Sequence, residues 1–293
     1  MRRLSLLVLV LVLVLAACGG ASAPEQQQAS PAEVLKQAAA KMEDAGSARY
    51  TVTGKMRNKT YAERPLAFTL RGISTFDDKA VWVWWDLSEV YPAIIASQAP
   101  EADRAAVRAL VEDRRGWQME FRQRGKTNWM RLPAFTEHFG AKPWIRGSDA
   151  SGEDDFGGAF ALPGDLIAYM RATRHVEELG REDGLAHYRG RVELRRVAAH
   201  VPRRDRAMVR KAVREVIRDT GKTTLPLDVW LADDGLPRRF RVDDIEPRTS
   251  TERYPTTWRA TMEILEYGVD FDVLRPPARK VMTEQEFDRL TES

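Results

Sequence analysis

The chain has 293 residues, 43% of them apolar and 30% charged, a balance that excludes a disordered polymer and suits a folded globule. Its formal charge of +3 includes Arg2 and Arg3; without them about +1 is left, too small a basic surplus for nucleic acid binding through phosphates. The single cysteine, Cys18, excludes an internal disulfide.

Met1-Arg2-Arg3 precedes an apolar run of 14 residues, Leu4 to Ala17, that stops at Cys18-Gly19-Gly20. Crossing a bilayer as a helix takes about 20 residues, so residues 1–17 read as a signal peptide. The ending Leu15-Ala16-Ala17-Cys18 resembles the bacterial lipobox, in which the cysteine thiol receives a diacylglycerol and becomes the first residue after cleavage. That implies a lipoprotein with a membrane anchor at Cys18, on the extracytoplasmic face of the cell membrane. A single acyl chain binds reversibly, so a stable anchor carries two or more, palmitate being a typical one. A plain secreted chain cut before Cys18 is the alternative. Residues 18–30 are small and polar, which suits a flexible tether between the lipidated cysteine and one folded domain over residues 31–293.

Ser30-Pro31-Ala32-Glu33 is a capping box with proline in the first helical position. Val34, Leu35, Ala38, Met42 and Ala45 then recur at helical spacing until Gly46. From Ser47 the period changes to two: Tyr50, Val52 and Met56 alternate with polar residues, as do Leu66, Phe68 and Leu70. Asp77-Asp78 offers a turn into Ala80-Val81-Trp82-Val83-Trp84-Trp85, a strand apolar on both faces. One face meets the core, and the other must meet something else apolar.

Further strands are predicted around Trp117, Met119 and Phe121, from Trp129 to Leu132, and through Tyr188, Val192 and Leu194. Leu225 to Leu231 turns at Asp233-Asp234-Gly235 into Arg239 to Val242, and a last strand runs from Trp258 to Tyr267. Helical stretches are predicted at 101–115, 163–173, 203–219 and 283–291. About ten strands joined mostly by short turns, with inserted helices, predict an α+β fold built on a single antiparallel sheet. A sheet of that size tends to curl into a half-barrel, with the helices covering its concave face.

The lipobox, tether and amphipathic helix are followed by the strands Ser47 to Gly54 and Tyr188 to Val192, the hairpin strand Thr224 to Leu231, and the closing Tyr267-Gly268-Val269 with Pro276-Pro277. In that order they resemble the LppX/LprG-like actinobacterial lipoproteins of the LolA-like lipoprotein-carrier superfamily. The resemblance implies a half-barrel with an apolar cavity for acyl chains, and members that carry lipids or lipoglycans across the envelope. It supplies no catalytic motif. The acidic loop Gly147 to Gly158 has no counterpart in the pattern.

On this reading the chain is not an enzyme. It binds and carries an apolar or acylated envelope molecule, and the cavity wall is expected from Tyr50, Val52, Phe68, Val83, Trp84, Trp85, Met119, Phe121, Val229 and Trp230. The tryptophans serve equally as ordinary core. An interaction or regulatory lipoprotein that grips a protein partner and carries no lipid is the second reading.

The helical stretch from Pro202 to Lys222 gathers Val209, Ala212, Val213, Val216 and Ile217 on one side and arginines elsewhere, which suits a helix packed on the sheet or one resting on anionic headgroups. Gly125-Lys126-Thr127 and Gly221-Lys222-Thr223 lack the earlier glycine of a phosphate loop, since Glu120 and Val216 stand there, and they read as turns. His138, His175, His187 and His200 have no ligand spacing, and Glu153-Asp154-Asp155 lacks the alternation of a calcium loop. No metal and no cofactor is therefore expected.

Overall fold

In the computed structural model the described residues are 29–77, 80–98, 117–131, 133, 142–147, 163–246 and 256–291. The signal, Cys18 and most of the tether lie outside them, as do the helix expected at 101–115, the end of the strand at Leu132, and the acidic loop beyond Gly147. The folded unit runs from Pro31 to the C-terminus.

Its first helix, α1 (Pro31–Ala45), buries Leu35, Ala38 and Met42 of the predicted stripe together with Ala39, while Val34 and Ala45 are half-buried. Gly46 ends it with a positive φ of 74°, and its N–H donates to the Glu43 carbonyl. Three strands follow, β1 (Ser47–Arg57), β2 (Leu66–Thr75) and β3 (Ala80–Asp86), and then α2 (Val90–Gln98). Next come β4 (Gln118–Arg124), β5 (Thr127–Arg131), β6 (Trp144–Gly147), α3 (Pro163–Ala172), β7 (Thr173–Glu182) and β8 (Leu185–Glu193). The chain continues through α4 (Leu194–His200), α5 (Arg206–Thr220), β9 (Thr224–Leu231), β10 (Pro237–Glu246), β11 (Thr256–Tyr267), β12 (Val281–Thr283) and α6 (Glu284–Thr291).

The strands make one open sheet in the order β12-β6-β5-β4-β3-β2-β1-β11-β10-β9-β8-β7. All neighbours pair antiparallel except β12 with β6, which pair parallel. The fold is thus α+β on a single, mostly antiparallel sheet, with twelve strands where about ten are predicted.

The additional strands, and the corrections that go with them, have physical causes. The edge strand β7 exposes nearly every residue from Glu177 onward, so it carries no apolar alternation. Its charges, with register shifts at Arg174/Glu177 and Glu178/Gly180, blunt an edge that would otherwise template further pairing. Strands β6 and β12 are four and three residues long, too short to show a period. Leu194, predicted to continue a strand, starts α4, whose seven residues are also below the length at which a helical period is legible. Helix α2 is apolar nearly all round and so reads as neither template.

Helix α1 packs on α3, α3 on α4, and α4 on α5, while α2 touches β2. Together they cover one face of the sheet, where Leu35, Met42, Leu166 and Met170 join Tyr50, Leu70, Val229 and Phe240 in one hydrophobic cluster. On the opposite, outer face of the sheet, β4 meets the segment after β11. Arg122 of β4 donates to the Leu274 carbonyl at 2.7 Å, Arg124 pairs with Asp272, and Val273 between these anchors is only 2% exposed. This returning strap delivers β12 to β6, whereas the outer face of β3, expected to meet a second apolar neighbour, leaves Trp82 45% exposed and bonded to Glu120.

Candidate functional site

The register of the sheet assembles the predicted wall residues into rows on the core face. One row runs Met262, Val52, Leu70, Trp85 and Met119; the next runs Ile264, Tyr50, Gly72, Val83, Phe121, Met130 and Ile145. With strands about 4.8 Å apart, the second row is about 29 Å long, more than the roughly 15 Å of one leaflet of hydrocarbon. Phe68 lies beside these rows on β2, and Val229 continues the core face on β9, opposite Phe240.

Two glycines make room for the aromatic rings. A Cβ on Gly54 would lie 2.3 Å from the Phe68 ring, and one on Gly72 would lie 2.7 Å from that of Tyr50. Phe68 fills its place edge-on to Trp258, with centroids 5.4 Å apart. Tyr50, Val52, Val83, Met119 and Val229 are buried, whereas Trp85, Phe121 and Met130 are half-buried and pack against the core cluster, as do Tyr91 and Ile94 of α2.

Trp84 and Trp230 point the other way. In a strand successive side chains alternate between faces, so Trp84 shares the outer face with Trp82, and Trp230 shares it with Asp228. Trp82 donates to Glu120 at 2.9 Å, and the Arg122 guanidinium lies 4.7 Å from the Trp144 ring.

Trp230 belongs to a buried polar constellation that sequence reasoning missed. Asp228, 5% exposed, accepts bonds from His187 Nε2 at 2.8 Å, Arg189 Nε at 2.8 Å and Arg241 Nη2 at 2.9 Å. Burial pushes the Asp228 carboxyl up, but the bonds from His187, Arg189 and Arg241 outweigh it and hold the group below its ordinary value. The His187 ring stacks on Trp230 at 4.2 Å, and Trp230 Nε1 donates to Glu182. The signal is present as alternation in Pro226-Leu227-Asp228-Val229-Trp230, but His187 and Arg189 come from β8, 41 and 39 residues earlier, and Arg241 from β10, 13 residues later across the hairpin.

Among the described residues the histidines do not converge: His187 is bound to Asp228, His175 sits on the edge strand and His200 ends α4, while His138 lies outside them. In α5 the residues Val209, Val213, Val216 and Ile217 pack half-buried on the core cluster, whereas Ala212, expected on the same side, is exposed, as are Arg210, Lys211 and Arg214. A groove of about 690 Å³ separates α4 from α5. Among the described residues no helix is long and apolar enough to cross a membrane.

No protein-family model matches the sequence, and no curated protein matches it. Among solved structures the chain is similar to LprF from Mycobacterium bovis, at 13% identity over 85% of this chain and 97% of that one, with a TM-score of 0.47. It is also similar to a LolA superfamily protein from Nitrosomonas europaea, at 11% identity over 84% of this chain and 94% of that one, with a TM-score of 0.26. These are likenesses of fold, and the fold class itself rests on the strand order and register of this chain.

Proposed function

We propose that this chain is a lipid-anchored envelope protein that binds an apolar or acylated molecule along the core-face band and passes it on with no bond made or broken. The observation that carries the reading is the unbroken apolar row from Ile264 to Ile145, half-buried at Phe121 and Met130 and flanked by half-buried Trp85. Keeping ten methylenes out of water is worth about 8 kcal/mol, enough to hold an acyl chain without any polar recognition. The lipid at Cys18 would keep the protein beside its source of ligand, and residues 18–30 would give it reach.

A second reading has its own support. Tyr50, Val83 and Met119 are at most 2% exposed within the hydrophobic cluster, as in a filled core. A lipoprotein with such a core would grip a protein partner through its surface.

Native mass spectrometry of the Cys18→Ala protein, purified from an envelope fraction, separates the two. The carrier reading expects a non-covalent lipid adduct that is lost in Phe121→Glu while far-ultraviolet circular dichroism is kept. A bare mass throughout, in protein exposed to envelope lipid, would end the carrier reading and leave the partner-binding one.

A further inference from the structure

The outer face of the sheet holds a cleft of about 1060 Å³ that the apolar site does not use. It lies across β1, β11, β10, β9, β8 and β7. Six basic side chains line it, Lys55, Arg57, Arg189, Arg191, Lys222 and Arg259, against two acids, Glu177 and Asp243. The whole chain is close to neutral, so this is a local concentration of charge.

We propose that this cleft binds a phosphate-bearing polyanion. Four observations support it. First, the side chains of Lys55, Arg57, Arg191 and Lys222 are exposed and make no ion pair or hydrogen bond among the described residues. Second, the register sets like charges directly opposite each other twice: Lys55 faces Arg259, and Arg191 faces Arg174. Like charges in that position destabilise a sheet, and an anion bound between the strands removes the repulsion.

Third, two guanidinium groups are held in place in advance. Asp243 takes both Nε and Nη2 of Arg259 at 2.9 and 2.8 Å, and Asp228 takes Nε of Arg189 at 2.8 Å. Each is left with N–H groups uncommitted among the described residues, in the planar fork that matches phosphate oxygens. Fourth, His175, which also lines the cleft, has a φ of 50° at the bulge of β7. A side chain held in the left-handed region costs energy that the surrounding structure must supply.

A smaller cleft of about 360 Å³ shares Arg189, Asp243 and Arg259 and extends toward Arg241 and Asp228. Cations spread over four elements suit several separated negative charges better than one carboxylate. Two sources offer that chemistry: the headgroup of an anionic lipid, or a soluble phosphate ester. The inference is independent of the apolar band.

The test uses the Cys18→Ser protein, so that no anchor holds it to vesicles. Tripolyphosphate is titrated by calorimetry, and vesicles with or without phosphatidylglycerol in phosphatidylcholine are tested by flotation. Binding to either probe, weakened by salt and reduced at least about tenfold in Arg57→Glu/Arg191→Glu, sustains the site. Binding only to vesicles assigns it to a headgroup, and binding only to tripolyphosphate assigns it to a soluble ester. Arg57→Gln/Arg191→Gln is the milder pair, expected to keep the native melting temperature with a smaller loss of binding. No binding to either probe overturns the proposal. So does an equal loss in Lys211→Glu/Arg214→Glu on α5, which would mean general charge attraction.

Discussion

Gly54→Val should lower stability by about 3 kcal/mol, at the upper end of the overpacking range. Thr53→Val beside it should change stability by no more than about 0.5 kcal/mol. The added Cβ at Gly54 meets the Phe68 ring at 2.3 Å and the Arg259 carbonyl at 2.7 Å. The ring has no free volume to retreat into, because it is 4% exposed and set edge-on against Trp258. The carbonyl belongs to β11, which is paired with β1 along its length, so it moves only if the central ladder moves. Thr53 is one residue earlier in the strand and points to the outer face, where it is exposed. Thermal unfolding of both variants gives the answer: for a domain of this size the fall at Gly54 corresponds to about 9 °C. Two equally stable variants would mean that the Phe68 ring is free to move.

Asp228→Asn is the second large effect, a loss of about 2 kcal/mol. Removing one partner of a fully buried ion pair costs about 3–5 kcal/mol. Here Arg189 and Arg241 are 49% and 41% exposed at their side chains, and water makes good part of the loss. The same residue predicts a pH dependence with a definite sign. Its carboxyl is held below the ordinary value of 3.8, so the stability it contributes is complete above that pH and is lost as pH falls through the lower folded value. The gap in melting temperature between the native chain and Asp228→Asn should therefore be constant near neutrality and close in acid. A gap that widened in acid would contradict the assignment of His187, Arg189 and Arg241 as the groups that hold the charge.

The apolar rows are largely legible in the sequence. Tyr50, Val52, Phe68, Val83, Trp85, Met119 and Phe121 stand at alternate positions in their runs, and the register brings them to one face. Trp84 and Trp230 read as members of the same wall because a strand apolar on both sides does not say which side faces the core. For Trp84 the deciding contact is the pairing with Arg71 and Glu120, whose strands turn Leu70 and Met119 to the core. For Trp230 it is His187, 43 residues earlier in the chain.

The Asp228 constellation and the basic cleft are illegible there for a shared reason. Their members are single charged residues, indistinguishable from the rest of the 89 charged side chains of the sequence. Only the pairing of β8, β9 and β10 sets His187, Arg189 and Arg241 around one carboxylate, and only the β1–β11 pairing sets Lys55 opposite Arg259.

The sequence by itself determined the local periods and their ends: the helix stopped by Gly46, the half-buried strands, the hairpin at Asp233-Asp234-Gly235, and the apolar run that stops at Cys18. These depend on steric preferences and burial within a few residues, and such information is written locally. Tertiary structure decided which faces meet, which charges become neighbours, and where the sheet holds a cleft. Those properties arise from pairing strands up to 219 residues apart, as Ala48 and Tyr267 illustrate, and no local period encodes them.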